Sequence, residues 1–267
     1  MLHHILVPVD GTTRADEAVD VARHLAARAQ ASIVLLHVQE RTSDVRAVVS
    51  TNQDLEQRVA ALRAEGLDAR HFIGYGNLEE TIAATASEQR ADLIVMAPHH
   101  RGRLEGLRHP SLTARVLANA PAPVLVWPEN APGRAYFTLF NTAGAAVVVP
   151  LDGSDLAERA LPVAVAFVRE FSSPLLLLRV VPPPSPVAGG PEPYSLMIDY
   201  ELNQEREARH YLASVRKRLP EDQTLTIHSM VLRGLPEHEL LRVAETHNGS
   251  IMVMSTHGRG SLGRIFM

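Results

Sequence analysis

Residues 257–264 read His-Gly-Arg-Gly-Ser-Leu-Gly-Arg and directly follow the apolar run Ile251, Met252, Val253, Met254 and the small polar pair Ser255 and Thr256. Glycines after a strand let backbone N–H groups approach phosphate oxygens closely, so phosphate binding is the chemistry these residue types could do. Gly258, Gly260 and Gly263 also fit G-x-G-x-x-G, the dinucleotide fingerprint. That fingerprint belongs to a first strand–helix unit and needs an acidic residue about 20 positions on, whereas this run follows a fourth strand with four residues left. Two readings stay open: a phosphate loop, and a solvent-exposed loop whose Arg259 and Arg264 are merely hydrated.

Asp10 and Asp152 each stand between an apolar run and a glycine. At such a position a carboxylate serves as a helix cap or closes an Asp-Gly turn. Thirteen histidines raise the question of metal. His3 and His4 begin a strand and point to opposite faces. His238 opens "HELLR" without the second histidine of a zinc helix, and His99 and His100 have no carboxylate or thiolate partner at ligand spacing. Metal held by protein ligands alone is not expected. No Ser-His-Asp or paired-carboxylate arrangement stands out, so nucleophilic catalysis has no support.

The elements that must position these residues come in two copies. "ILVPVDGT" at 5–12 returns as "VVVPLDGS" at 147–154, a shift of 142 that places Asp152 on Asp10. "GNLEETI" from Gly76 matches "GLPEHEL" from Gly234, and "ADLIVMAPHHRG" from Ala91 matches "GSIMVMSTHGRG" from Gly249, both at a shift of 158. The difference of 16 falls at "PPPSPVAGGPEPYS", whose prolines mark an irregular surface insertion over 182–193. In each copy short β-branched runs alternate with helical patterns, the signature of a parallel sheet covered by helices. Strands are expected near 3–9, 32–38, 69–73, 92–97 and 123–127, then near 146–151, 175–181, 225–232 and 250–254. Ala18, Val21, Ala22 and Leu25 share one face of the first helix. The expected domains are 1–130 and 144–267, joined by a linker, with the second stopping short of a fifth strand.

Composition narrows the partners. With 46% hydrophobic residues the chain can bury a sizeable core, and with 26 basic against 30 acidic residues it has no basic run suited to nucleic acid. There is no cysteine, hence no disulfide or thiolate chemistry. No segment approaches the roughly 18 apolar residues of a membrane span. The expectation is a soluble, cytoplasmic protein with neither nucleic acid nor membrane as partner.

"HILVPVDGT", "LLHV", "ADLIVMAPHH", "VVVPLDGS" and "IMVMSTHGRGSLGR" together resemble the universal stress proteins, arranged here as two UspA-like domains in tandem. The resemblance implies an α/β fold of two doubly wound parallel sheets, Rossmann-like and akin to the adenine-nucleotide α hydrolases. Members that bind ATP carry Gly, two residues, Gly, nine residues, Gly, then Ser or Thr. The second copy starts this pattern with Ser255 in place of the first glycine, followed by His257 and Gly258; the first copy reads Ala97, Pro98, His99, His100 and later Pro110, Ser111. Proline offers no N–H, so the first copy is expected to have lost the standard triphosphate site.

Carried over residue by residue, the resemblance implies a nucleotide site from Pro150, Asp152, Val180, Met254, Ser255, His257, Gly258, Arg259 and Gly260. A vestigial one would comprise Pro8, Asp10, Val38 and Ala97. Asp152 would accept from ribose hydroxyls, and backbone at Val180 would meet adenine. ATP, with Mg2+ held mainly by its phosphates, is the implied ligand. The implied role is a nucleotide-dependent stress-response sensor, at most a slow ATPase because no Walker lysine or general base is visible. Dimerisation through a sheet edge such as 123–128, and protein partners not identifiable from sequence, are also implied. The alternative is an interaction scaffold that binds no nucleotide.

Overall fold

The computed structural model describes residues 2–39, 45–98, 111–128, 145–183, 194–220, 225–247, 249–256 and 264–266. The chain forms two compact units, Met1–Phe137 with Thr256–Met267, and Thr138–Ser255.

In the first unit β1 (His4–Pro8), β2 (Ser32–Gln39), β3 (Ala69–Tyr75), β4 (Leu93–Met96) and β5 (Val124–Val126) form a parallel sheet in the order β3-β2-β1-β4-β5. The apolar runs of β1 and β4 lack alternation because both sheet faces are covered. On one face Leu6, Leu36, Ile94 and Met96 pack with Ile82 and Ala86 of α3 (Leu78–Glu88) and Val116 of α4 (Leu112–Asn119). The intervening Ile5, Val7, Ile33 and Leu35 are equally buried. α1 (Thr13–Ala29) buries the four residues expected of it and also Ala15 and Ala26. Thr12 caps α1, and Gln30 ends it in the left-handed region at φ 55°. Between β2 and β3 lies α2 (Val45–Ala64).

In the second unit β6 (Val147–Pro150), β7 (Leu175–Val181), β8 (Ile227–Arg233) and β9 (Ile251–Met252) form a parallel four-stranded sheet, ordered β8-β7-β6-β9. Its helices are α5 (Asp155–Glu158), α6 (Leu161–Phe171), α7 (Tyr194–Arg218) and α8 (Pro236–Thr246). The repeat survives in the pairing. Ile5 sits opposite Ile33 as Val147 sits opposite Leu175, and Val9 N–H donates to Leu36 O as Leu151 N–H does to Leu178 O, both at 2.8 Å.

Two expectations change. The strand expected over 250–254 is divided: β9 ends at Met252, and β10 (Met254–Thr256) follows after Val253, whose N–H still donates to Val148 O at 2.8 Å. The edge expected to be free over 123–128 is occupied, because β11 (Arg264–Phe266) lies parallel to β5, with Phe266 opposite Val124. Most of the insertion at 182–193 and all of the linker over 129–144 fall outside the described residues. Among the described residues no helix is long and apolar enough to cross a membrane.

Candidate functional site

In an open parallel sheet, ligands bind beyond the carboxyl ends of the strands, where the strand order reverses. In the first unit that point lies between β1 and β4, and a cleft of about 580 Å³ opens there. Pro8, Val9 and Asp10 line it from the end of β1, Val38 from β2, and Met96 and Pro98 from the end of β4. Ile82 of α3 and Leu112 of α4 complete an apolar interior, while Asp10 and Arg14 are its ionisable lining. Of the four residues expected in the vestigial site, Pro8, Asp10 and Val38 line the cleft. Ala97, between two lining residues, is 5% exposed.

The Asp10 turn is built by local chemistry. Asp10 Oδ1 accepts from Thr12 N–H at 3.0 Å and from the Thr12 hydroxyl at 2.6 Å; the hydroxyl oxygen in turn accepts from Ala15 N–H at 3.3 Å, capping α1. Gly11 adopts φ +80°, which side chains rarely adopt. The second unit repeats every bond: Asp152 Oδ1 accepts from Ser154 N–H at 2.8 Å and from its hydroxyl at 2.6 Å, and Ala157 N–H donates to Ser154 Oγ at 3.1 Å. Gly153 has φ +91°. In both units the carboxylate closes the turn while the hydroxyl caps the helix, and the carboxylate stays exposed, a surface a ligand hydroxyl could reach.

Burial pushes the Asp152 carboxyl upward, but donation from Ser154 and the positive charge of Arg179 outweigh it and hold it below the usual carboxylate range. Arg179 occupies the β7 position that matches His37 of β2 under the shift of 142. His37 Nδ1 donates to Val9 O at 2.9 Å, whereas the Arg179 guanidinium stacks on Tyr211 with Cζ 5.0 Å from the ring centroid.

Pro150 ends β6 and Val180 sits near the end of β7, as Pro8 and Val38 do in β1 and β2. Met254 and Ser255 belong to β10, and the Ser255 hydroxyl is buried with no hydrogen-bond partner among the described residues. His257, Gly258, Arg259 and Gly260 lie outside the described residues, as do His99, His100 and Pro110. Ser111, the other end of the first copy's loop, caps α4 by accepting from Ala114 N–H at 3.1 Å. Among the described residues no three or more histidines or carboxylates cluster to hold a metal.

Several site residues were not singled out from the sequence. Thr12 and Ser154 were visible as the third residue of "DGT" and "DGS", and Arg179 as the change from "LLHV" to "LLRV". Ile82, Met96 and Leu112 carried no such signal, since only the packing of α3 and α4 brings them together.

The universal stress protein family model matches residues 1–128 and 145–267. A universal stress protein of Methanocaldococcus jannaschii is 33% identical over 121 residues, covering 45% of this chain and 69% of its own length. One of Synechocystis sp. is 31% identical over 137 residues, covering 48% and 87%. The crystal structure of a universal stress protein from Archaeoglobus fulgidus superposes with TM-score 0.63 at 18% identity, covering 93% of this chain and 86% of that one, a likeness of fold. With a matching domain in each half, and the same Asp-Gly-hydroxyl turn built at the end of the first strand of both, this chain belongs to the universal stress protein family as a tandem member.

Proposed function

We propose that the protein is a nucleotide-responsive regulator that takes an adenine nucleotide at the carboxyl ends of its strands. The observation that carries this reading is the Asp10 turn beside a cleft at the strand-order reversal, with its hydrogen bonds repeated at Asp152. Apolar walls from Val38, Ile82 and Met96 suit a flat base, and a solvent-facing carboxylate suits a ribose diol.

The two units divide the ligand. The second sequence copy takes ATP, its phosphates meeting Ser255, His257, Gly258, Arg259 and Gly260, with Mg2+ bound chiefly through the phosphates. The first holds at most the adenosine part, because Pro98 at its cleft has no N–H to offer and the Ser111 hydroxyl oxygen is engaged in capping α4. Occupancy, rather than fast hydrolysis, is the output, read by protein partners in the cytoplasm with the protein as a homodimer.

Isothermal calorimetry with Mg2+ and ATP on the wild type and on Gly258→Asp tests this. Binding near one ATP per chain that disappears in the variant supports the reading. No heat from ATP or adenosine at any concentration overturns it in favour of a scaffold that binds no nucleotide.

A further inference from the structure

Arg179 stands on β7 opposite Val231 of β8, one residue beyond the end of the register with β6, where a cation must be held by its surroundings. Its guanidinium lies over the Tyr211 ring, Cζ 5.0 Å from the centroid. The guanidinium also lies close to Gly153: a Cβ built there would stand 2.8 Å from Nη1 and 3.5 Å from Nη2. Nη1 is buried and finds no hydrogen-bond acceptor among the described residues. A charged donor kept from water without an acceptor is costly, so this arginine is not retained for a hydrogen bond through that nitrogen.

Tyr211 is itself fixed. Its hydroxyl donates to Glu158 Oε1 at 3.0 Å, and Arg218 Nη2 donates to the same oxygen at 2.8 Å. Burial, then this bond and the negative charge of Glu158, push the phenol far above its ordinary range, so the ring stays neutral beneath the cation. The first unit differs at each matching point. His37 stands at the position of Arg179 and donates to Val9 O, and a Cβ on Gly11 would meet nothing within 4 Å.

We infer that Arg179 is a positioning residue for the second unit's ligand site, its cation stacked on Tyr211 and seated against Gly153 so that it fixes the turn presenting the Asp152 carboxylate. This rests on the reading that Asp152 meets the ligand. The arginine acts through the turn: it limits the movement of Gly153 and places a permanent positive charge behind a carboxylate that must stay ionised to accept two ribose hydroxyls. Among the described residues, the charge that acts on that carboxylate is Arg179 from β7; the arginine's partner Tyr211 in turn faces Glu158 from α5 and Arg218 from α7, and Arg218 faces Asp155 from α5. Removing the cation leaves the turn looser and lets Asp152 take up a proton at higher pH.

The test uses the full chain with Arg179→His, which installs the first unit's residue, Arg179→Lys, which keeps the charge, and Tyr211→Leu, which removes the stacking face. Two readouts are followed: Mg-ATP affinity by calorimetry across pH, and the carboxyl carbon titration of Asp152 by NMR without ligand. In Arg179→His the affinity should fall about tenfold, and both the acid limb of binding and the Asp152 titration should move to higher pH. Arg179→Lys should restore the acid limb, and Tyr211→Leu should weaken binding in the same direction as Arg179→His. A merely structural arginine would change unfolding temperature and leave the acid limb in place, and that result overturns the proposal. If Arg179→His does not fold, Tyr211→Leu decides: unchanged affinity and titration overturn it. If wild-type protein binds no Mg-ATP, the functional reading fails and the ligand role of Arg179 falls with it. A titration that shifts in the variants while ATP binding persists unchanged overturns the positioning role alone.

Discussion

The Ser154 hydroxyl donates to Asp152 Oδ1 at 2.6 Å while accepting from Ala157 N–H at 3.1 Å, so one side chain closes the turn and caps α5. Ser154→Ala removes both bonds and should cost about 1 kcal/mol, as lost caps generally do. The Asp152 carboxyl is held below its ordinary range, so its contribution to stability is complete above the unfolded carboxylate value and is lost as pH falls through the lowered folded value. Urea unfolding of wild type and variant should therefore differ most at neutral pH, and the gap should narrow in acid to the share of the cap bond to Ala157 N–H. A gap that stays constant with pH would mean that the bond to Asp152 adds nothing beyond the cap.

Gly11 and Gly153 have nearly the same backbone, φ +80° and +91°, and different surroundings. Alanine at either should lose roughly 1–3 kcal/mol from the left-handed conformation alone. At Gly153 the new methyl also meets Arg179 Nη1, 2.8 Å away, whereas at Gly11 it meets open space. Gly153→Ala should lower the thermal midpoint further than Gly11→Ala. Equal losses would show that the guanidinium swings aside freely.

Much of this architecture was legible because the chain repeats itself. The shift of 142 placed Asp152 on Asp10, and both turns carry the same bonds, since an Asx turn followed by a hydroxyl cap is encoded within a few adjacent residues. Strand positions followed from uninterrupted runs such as Ile33–Leu36 and Leu93–Met96, which suit only a sheet covered on both faces. What escaped depends on distant partners. Arg179 reads as a lone charge in an apolar strand until α7 brings Tyr211 over it, and the cleft exists because α3 and α4 place Ile82 and Leu112 across from Val38. The division of 250–254 also escaped, because apolar character continues through Met254 while the register with β6 ends at Met252 opposite Val148, with Val253 N–H still bonded to Val148 O.

His24 lies on α1, where burial and then the neighbouring charges of Arg28 and Arg23 hold its imidazole below the ordinary range. Between the folded and unfolded values the unfolded chain binds the extra proton, so the stabilisation is complete above the unfolded value, about 6.5, and is lost as pH falls toward the lowered one. Stability of the wild type should drop on mild acidification, and His24→Gln should flatten that part of the profile. Thermal midpoints between pH 7 and 5 check this; an unchanged slope in the variant would assign the loss to other groups.

Trp127, the single tryptophan, is 8% exposed, and its N–H on the main chain donates to Met96 O at 2.9 Å. Met96 lines the cleft, so a ligand seated between Val38 and Met96 lies against the strand to which the Trp127 main chain is bonded. Adenosine should change Trp127 emission in a saturable way. Val38→Phe fills the cleft from β2 and should abolish that change, at a stability cost of about 1–3 kcal/mol if the added ring is crowded. The matching Val180→Phe alters the other unit and should leave the adenosine signal intact while weakening ATP binding. If Val38→Phe leaves the emission change and adenosine affinity as in wild type, the first unit's cleft is not where adenosine sits; if Val180→Phe abolishes them instead, the base belongs to the second unit alone.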